Sequence, residues 1–431
     1  MPKKNIKIFF ITLSFIQLIG FQCLAHKNDF FDQAIVHEIR INFYVEHYWD
    51  SLIYSKSNFE KTETYQYVPC NVNVDGNLFY YCGLRLKGNS SYSDYKGKKK
   101  SFKIKFDEFV ACQDMNGISE LNLNNSHRDP TFLREKLYYD FLRDNNVIAP
   151  KCTFTKLYIN DVYWGVYLLV EEVDKKFIKN NFTSANGNLY KGDPLSTLCW
   201  KGEDQEAYYK SYKKITNLNA NNWTDLVQLT NILDHSIHSD EIYFHSLDSI
   251  IDLRVMLNVF AANTILVNTD SYNYGAPHNF FLYFDLDSKK MKWIAWDANY
   301  SFDAFSPVFS YSDAVNVSFF YNNTQKANSS ILYNLYNNKY IRKMYLDAIN
   351  EMTQNFNSTY FNTKIDSLSD LIREDVYADT LKMYSNEYFE RNLTETIGDI
   401  ADPGAYVPGL KTFFVDRRKS VLLQLKKEGY K

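Results

Sequence analysis

The feature that most constrains this chain is a change of hydrophobic period about halfway along it. In the first half, apolar residues return at every second position in short runs, the repeat of a strand with one buried face. Val36, Ile39, Ile41, Phe43 and Val45 open the pattern, and Lys100-Ser101-Phe102-Lys103-Ile104-Lys105-Phe106 is its cleanest instance. Further strands are predicted over 65–74, 77–87, 154–159 and 163–170, the last two joined by an Asn160-Asp161 turn. One helix interrupts them. Asp129-Pro130 supplies its start signal, and Phe132, Leu133, Leu137, Phe141 and Leu142 recur at helical spacing. In the second half the helical repeat takes over, at 225–233 and 247–267. Two short strands follow at 280–284 and 291–295, and the chain to Lys431 is mainly helical. The patterning predicts an α+β protein with a sheet-rich lobe over 26–174 and a helix-rich lobe over 175–431, joined near 171–175 and forming one domain.

Length and composition agree with this. The 431 residues are 45% hydrophobic, enough for a sizeable core, and only 15 Gly and 9 Pro leave little room for long disordered linkers. A net charge of −3 gives no sign of nucleic-acid or membrane-surface binding. The N-terminus reads as a signal peptide over 1–25. Lys3, Lys4 and Lys7 precede a mostly apolar run over 8–19, and Cys23-Leu24-Ala25 offers small residues for cleavage near Ala25. That run is short for a membrane span, and nothing else is long and apolar enough, so the expected mature chain is secreted and has no transmembrane segment. Beyond Cys23 there remain Cys70, Cys82, Cys112, Cys152 and Cys199, for which two disulfides and one thiol are expected, with Cys70 and Cys82 as one pair across a hairpin. N-x-[ST] sequons at Asn89, Asn124, Asn181, Asn222, Asn299, Asn316, Asn322, Asn328, Asn357 and Asn392 predict a glycoprotein, with Asn89 and Asn299 excepted because they fall inside the motifs below.

The chemistry is concentrated between Leu247 and Phe302. A long apolar helix ends at Asp270, a Gly-containing loop leads to His278-Asn279, a strand follows at once, and the next strand ends in Trp296-Asp297. An Asp on a loop, an Asn before a strand and an Asp after the next strand is the layout of a kinase-type phosphotransfer site. One carboxylate accepts the proton of the attacking hydroxyl, while the Asn carbonyl and the second carboxylate are hard oxygen ligands for Mg2+. The Asp270-to-Asn279 interval is longer than in H-R-D-x-x-x-x-N, and there is no H-R-D or D-F-G. The same spacing equally fits a turn-capping Asp, a strand-opening Asn and a loop carboxylate.

The first half offers the complementary parts. Lys100 is in phase with Phe102, Ile104 and Phe106, so it is expected to point inward to nucleotide phosphates, with Lys103 as its substitute; a solvated basic edge is the other reading of this lysine run. Glu135 on the following helix is placed to pair with that lysine. Gly88-Asn89-Ser90-Ser91 can cover phosphates with backbone N–H groups, and Glu171-Glu172-Val173 is where a hinge would meet adenine.

These residues also carry a family resemblance. Arg85-Leu86-Lys87-Gly88-Asn89-Ser90-Ser91, then Lys99-Lys100-Ser101-Phe102-Lys103-Ile104-Lys105-Phe106, resembles the R-x-[RK]-G-N-S-S … K-K-S-[YF]-x-I-x-F opening of the CotH (spore coat protein H-like) family. Leu133-Arg134-Glu135-Lys136-Leu137 is similar to its L-R-E-K-L helix, and Tyr158 to Tyr167 to its Y-I-N-x-x-Y-x-G-V-Y hairpin. Asn188-Leu189-Tyr190-Lys191, Asp270-Ser271-Tyr272, His278-Asn279-Phe280-Phe281-Leu282-Tyr283 and Trp296-Asp297 follow in the family's order. The resemblance implies a two-lobed atypical protein-kinase fold, ATP with Mg2+ (or Mn2+), and phosphorylation of Ser or Thr on secreted or coat proteins. It implies Asp270 as catalytic, Asp297 as metal-binding, with His278 and Asn279 beside the metal. Arg85 and Gly88 join Lys100, Lys103, Glu135 and Glu171 as the expected ATP-binding set. The family's W-D-x-D reads Trp296-Asp297-Ala298-Asn299 here, so one ligand oxygen is uncharged. Three function classes stand: a secreted kinase, an inactive kinase-like coat or scaffold protein, and a cell-surface adhesin or invasin.

Overall fold

The computed structural model describes residues 30–31, 35–62, 64–234, 239–304, 309–401 and 404–431. The proposed signal peptide lies outside the described residues. In chain order the elements begin β1 (Val36–Phe43), α1 (Tyr48–Thr62), β2 (Val68–Val74), β3 (Asn77–Lys87), the single turn α2 (Ser90–Ser93), β4 (Ser101–Lys105), β5 (Glu120–Asn124), α3 (Arg134–Asp144), β6 (Cys152–Ile159) and β7 (Val162–Glu171). They continue α4 (Lys175–Asn181), β8 (Leu189–Gly192), β9 (Tyr212–Lys214), α5 (Thr224–Asp234), α6 (Asp240–Ile250), α7 (Leu253–Ile265), β10 (Phe280–Asp285) and β11 (Lys290–Ala295). The chain ends with α8 (Tyr311–Asn316), α9 (Ser329–Asn337), α10 (Lys339–Met352), α11 (Ser358–Ala378), α12 (Asn386–Asn392), the two-residue strands β12 (Ile397–Gly398) and β13 (Tyr406–Val407), and α13 (Leu410–Lys427). Among the described residues, no helix is long and apolar enough to cross a membrane.

The first half closes into a barrel in the order β1-β2-β3-β4-β5-β7-β6, its pairs antiparallel except for the parallel β1–β6 seam. Strand alternation fills it. Leu84, Leu86, Phe102, Ile104, Leu121 and Leu123 point inside and form one core with Ile39, Ile41, Tyr167 and Leu169. A second, larger core joins α3 to the helices and the β11-β10-β8-β9 sheet of the second half. The two cores share β7. Tyr167 and Leu169 face the barrel while Val166, Leu168 and Val170 face the helices, which is why its sequence is almost continuously apolar. Each such fully buried large apolar side chain contributes about 1.5–3 kcal/mol relative to exposure.

Two sequence expectations change here. The predicted helix over 247–267 is two helices, because Ile251 bridges Met291 as a strand residue and the Asp252 N–H donates to the Met291 carbonyl at 2.9 Å. Asp252 then caps α7, accepting from the Val255 N–H at 3.1 Å. The expected disulfides are not formed: Cys70 and Cys82 do face each other across β2 and β3, but all five described cysteines are free thiols. The Cys70 thiol donates instead to the Cys82 carbonyl at 3.6 Å, and the Gln113 amide donates to the Cys82 sulfur at 3.4 Å. Of the sequon residues, Asn328 and Asn392 are fully buried and Asn124 is engaged in the cleft described next.

Candidate active site

At the end of α7 the chain turns by way of Val267, whose φ of 46° is left-handed and unusual for a β-branched residue. Backbone bonds hold it there: Phe302 and Asp303 donate to the carbonyls of Leu266 and Val267. The turn Tyr272–Tyr274 follows, closed by Gly275 at φ 87° and anchored by the Tyr272 ring against Phe260, Phe280 and Trp293. Asp270 is thus fixed at the mouth of a rigid loop. Asn279, at φ 63°, folds back beneath it, and its Nδ2 donates to the Asp270 carbonyl and to Oδ2, both at 2.9 Å. His278 Nε2 lies 3.1 Å from the other carboxylate oxygen. Because Phe280 pairs with Ala295, the Trp296 N–H donates to the Asn279 carbonyl, and Asp297 emerges beside the Asp270 loop at φ 53°. Its own N–H donates to the Tyr139 hydroxyl of α3 at 3.0 Å.

Across the cleft stands the outer face of the barrel. Opposite the apolar side of β3, β4 and β5 lie Arg85, Lys87, Lys103, Asn122 and Asn124, in cross-strand register. Lys87 Nζ donates to Asn122 Oδ1 at 3.0 Å and Asn124 Oδ1 at 2.9 Å, and sits 5.6 Å over the Trp296 ring. Asn124 Nδ2 in turn donates to both Glu135 oxygens at 3.1 and 2.9 Å. Asn122 Nδ2 donates to Glu172 at 2.7 Å, and Glu172 pairs with Lys103 at 2.9 Å. Gly88, at φ 91°, turns the chain out of β3; a Cβ there would meet Ser91 Oγ at 2.1 Å. The turn brings Ser90 Oγ to 3.5 Å from the hydroxyl of Tyr300, three residues past Asp297.

The electrostatics tie the two sides together. Burial raises the Asp297 pKa and the Asp270 charge raises it further, against the opposing pull of Lys87, Lys191 and His278. Asp297 retains solvent access despite this crowding, as a side chain on a cleft wall does. Burial likewise lowers Lys87, opposed chiefly by Asp297, Glu172 and Glu135. Burial and Asp297 raise Glu135, opposed by Asn124 and Lys87. Burial would lower His278, but its bond to Asp270 and the charges of Asp270 and Asp297 leave it raised.

This donor set fits a divalent cation bound with polyphosphate. Asp270 and Asp297 are mutually repelling carboxylates, and Asn279 has committed its N–H2 to Asp270, which leaves its side-chain oxygen as the group that could ligate a cation. Among the described residues, no three His, Cys, Asp or Glu side chains form a ready-made metal cluster. Mg2+ asks for none: it takes one or two carboxylates and completes its shell with water and phosphate oxygens.

Of the residues expected from sequence, Asp270, His278, Asn279, Asp297 and Glu135 come together here, and Gly88 turns the chain beside them. Lys103 is on the same face but committed to Glu120 and Glu172, which outweigh its burial and raise its pKa. Arg85 stacks on Tyr65, its guanidinium 3.6 Å from the ring centroid. Lys100 lies elsewhere, its ammonium held by the carbonyls of Tyr92 and Tyr95. The apolar face it was phased with is the barrel interior, whereas the cleft is on the other face. Glu171 is also turned away, accepting from the Lys151 N–H at 3.0 Å; its neighbour Glu172 faces the cleft network. Lys87, Asn122 and Asn124 were missed. The alternation of Glu120-Leu121-Asn122-Leu123-Asn124 was the available signal for β5, and it puts both asparagines on one side.

A family model described as CotH kinase protein matches residues 84–421. Inner spore coat protein H of Bacillus subtilis is 25% identical over 303 residues, covering 68% of this chain and 78% of that protein. Invasin CotH3 of Rhizopus delemar is 20% identical over 163 residues, covering 36% of this chain and 27% of the relative. Among solved structures the chain aligns with the Helicobacter pylori proinflammatory kinase CtkA, at a TM-score of 0.36 and 15% identity, over 76% of this chain and 93% of that one.

Proposed function

Because the chain belongs to the CotH kinase protein family, we propose that it is a secreted two-lobed kinase, with lobes over 26–174 and 175–431, that transfers the γ-phosphate of ATP to Ser or Thr hydroxyls of coat or cell-surface proteins. The observation that carries this reading is the meeting, in one cleft, of the Asp270–Asn279–Asp297 loops with the Lys87–Asn124–Glu135 set. Asp270 takes the proton of the attacking hydroxyl; its carboxylate is aimed by His278 and Asn279 from opposite oxygens. Lys87 holds phosphate oxygens, and Glu135 on α3 steadies it. Asp297 and the Asn279 carbonyl would hold Mg2+ or Mn2+, which when bound neutralises phosphate charge. The coat assignment follows the Bacillus subtilis relative. Incubation with ATP labelled at the γ- or the α-position tests the reaction type. Transfer of γ-label alone is expected; transfer of α-label would make the protein a nucleotidyltransferase, and transfer of neither would remove the enzymatic reading.

A second reading, an inactive surface adhesin, is favoured by the invasin relatives and by Asn299, an uncharged residue whose amide reaches back to the His127 carbonyl at 3.5 Å. Of those invasins the chain covers only 27% and 13%.

A further inference from the structure

We propose that Asn122 and Asn124 are positioning residues that hold Lys87 ready for the phosphates of a bound nucleotide; this rests on reading the cleft as a nucleotide site. A lysine can be oriented by a direct pair with a carboxylate, but here neither Glu135 nor Glu172 touches Lys87. Each is separated from it by an amide. Asn124 accepts from Lys87 at 2.9 Å and donates to Glu135 at 3.1 and 2.9 Å, while Asn122 accepts from Lys87 at 3.0 Å and donates to Glu172 at 2.7 Å. Oxygen towards the ammonium and nitrogen towards the carboxylate is the one amide orientation that satisfies both neighbours, so each carboxylate fixes its asparagine and each asparagine fixes the lysine.

The fold supplies the arrangement by strand period. Asn122 and Asn124 are two residues apart on β5 and so share a face. Lys87 reaches them from β3 across the intervening β4, where the residue opposite it is Ser101, too small to block the path. The network continues outward through Glu172 to Lys103 and Glu120, at 2.9 and 2.5 Å, and is closed at that end. At the Lys87 end it is open. An ammonium has three N–H donors; two go to the amides, and the third has no hydrogen-bond acceptor among the described residues, only the Trp296 ring 5.6 Å away. Neutral amides pass on the orientation set by two carboxylates, Glu135 buried and Glu172 half-buried, without placing a full negative charge against the lysine. A direct carboxylate contact would occupy the remaining donor and oppose an incoming phosphate.

Calorimetric titration of the full-length chain with ATP and with adenosine, both in Mg2+ buffer, tests this, because only ATP carries the phosphates that Lys87 would hold. Asn124→Ala and Asn122→Ala are expected to weaken ATP at least tenfold while leaving adenosine within twofold. Asn124→Gln, which keeps both donor and acceptor, should recover ATP affinity to within about threefold of wild type. In a Lys87→Met background either alanine substitution should change ATP affinity less than twofold, since the group it positions is gone. ATP affinity unchanged in both alanine variants, a parallel loss of ATP and adenosine in both, or an undiminished loss in the Lys87→Met background overturns the proposal. A wild-type chain that binds no ATP overturns the nucleotide reading and this proposal together, a result seen before any variant is made.

Discussion

Burial alone would push the Glu172 carboxyl above its ordinary range, yet Lys103 and the Asn122 amide hold it down to about 2. Its folded pKa is therefore below the unfolded one, and the stability it contributes is complete above about pH 4.5 and lost as the pH falls towards 2. Urea unfolding of wild type and Glu172→Gln over that interval checks the sign. The gap between the two midpoints should be widest near neutrality and close as the solution is acidified; a gap that widens in acid would contradict the assignment. The same network shows what could and could not be read in the residues themselves. That Asp270, Asn279 and Asp297 lie together was legible because each stands close to the end of a strongly patterned element. The cleft lysine was not. A lysine in phase with apolar residues points to whichever side is apolar, and in a closed barrel that side is the interior, not the ligand side. Lys87 and Lys103, out of phase with the core, carry the cleft-facing charge, and Lys100 bonds to its own loop.

At the scale of elements, the clean alternations appear as strands nearly where expected, β3 over the residues predicted. α1 was missed because the spacing of Tyr48, Trp49, Leu52 and Ile53 is helical only over a short stretch; those residues pack on the barrel core. The break between α6 and α7 was invisible because a continuous apolar helical pattern continues through it, and what stops the helix is a distant strand residue, Met291. β7 carries a sharp backbone constraint. Gly165 has φ 98°, and a Cβ on it would lie 1.9 Å from Asp379. Gly165→Ala should cost at least about 2 kcal/mol, combining a forbidden conformation with a steric conflict. Thermal or urea denaturation measures it; a loss under about 0.5 kcal/mol would mean that Asp379 is not seated there.

Over the whole molecule, Asp379, the residue that ends α11, joins the two halves. Its carboxylate pairs with fully buried Lys99 and accepts from the Val166 N–H at 3.2 Å, while Lys99 donates to the Val166 and Trp164 carbonyls at 2.8 and 3.2 Å. Burial lowers the Lys99 pKa to about 8 even with Asp379 beside it, so the lysine depends on that partner. Asp379→Ala strands a buried cation and should destabilise by about 3–5 kcal/mol, whereas Lys99→Met with Asp379→Leu should recover most of the loss. If the double variant is as unstable as the single, the pair is not what joins the halves. The halves held in this way meet at the cleft in which phosphotransfer is proposed. The direct measurement is transfer of label from γ-labelled ATP, with Mg2+ or Mn2+, by wild type and by Asp297→Ala. Transfer by the wild type that falls at least about a hundredfold in the variant is the predicted result, as expected when a principal charge-stabilising group is removed; equal transfer by the two proteins would place the chemistry outside this cleft.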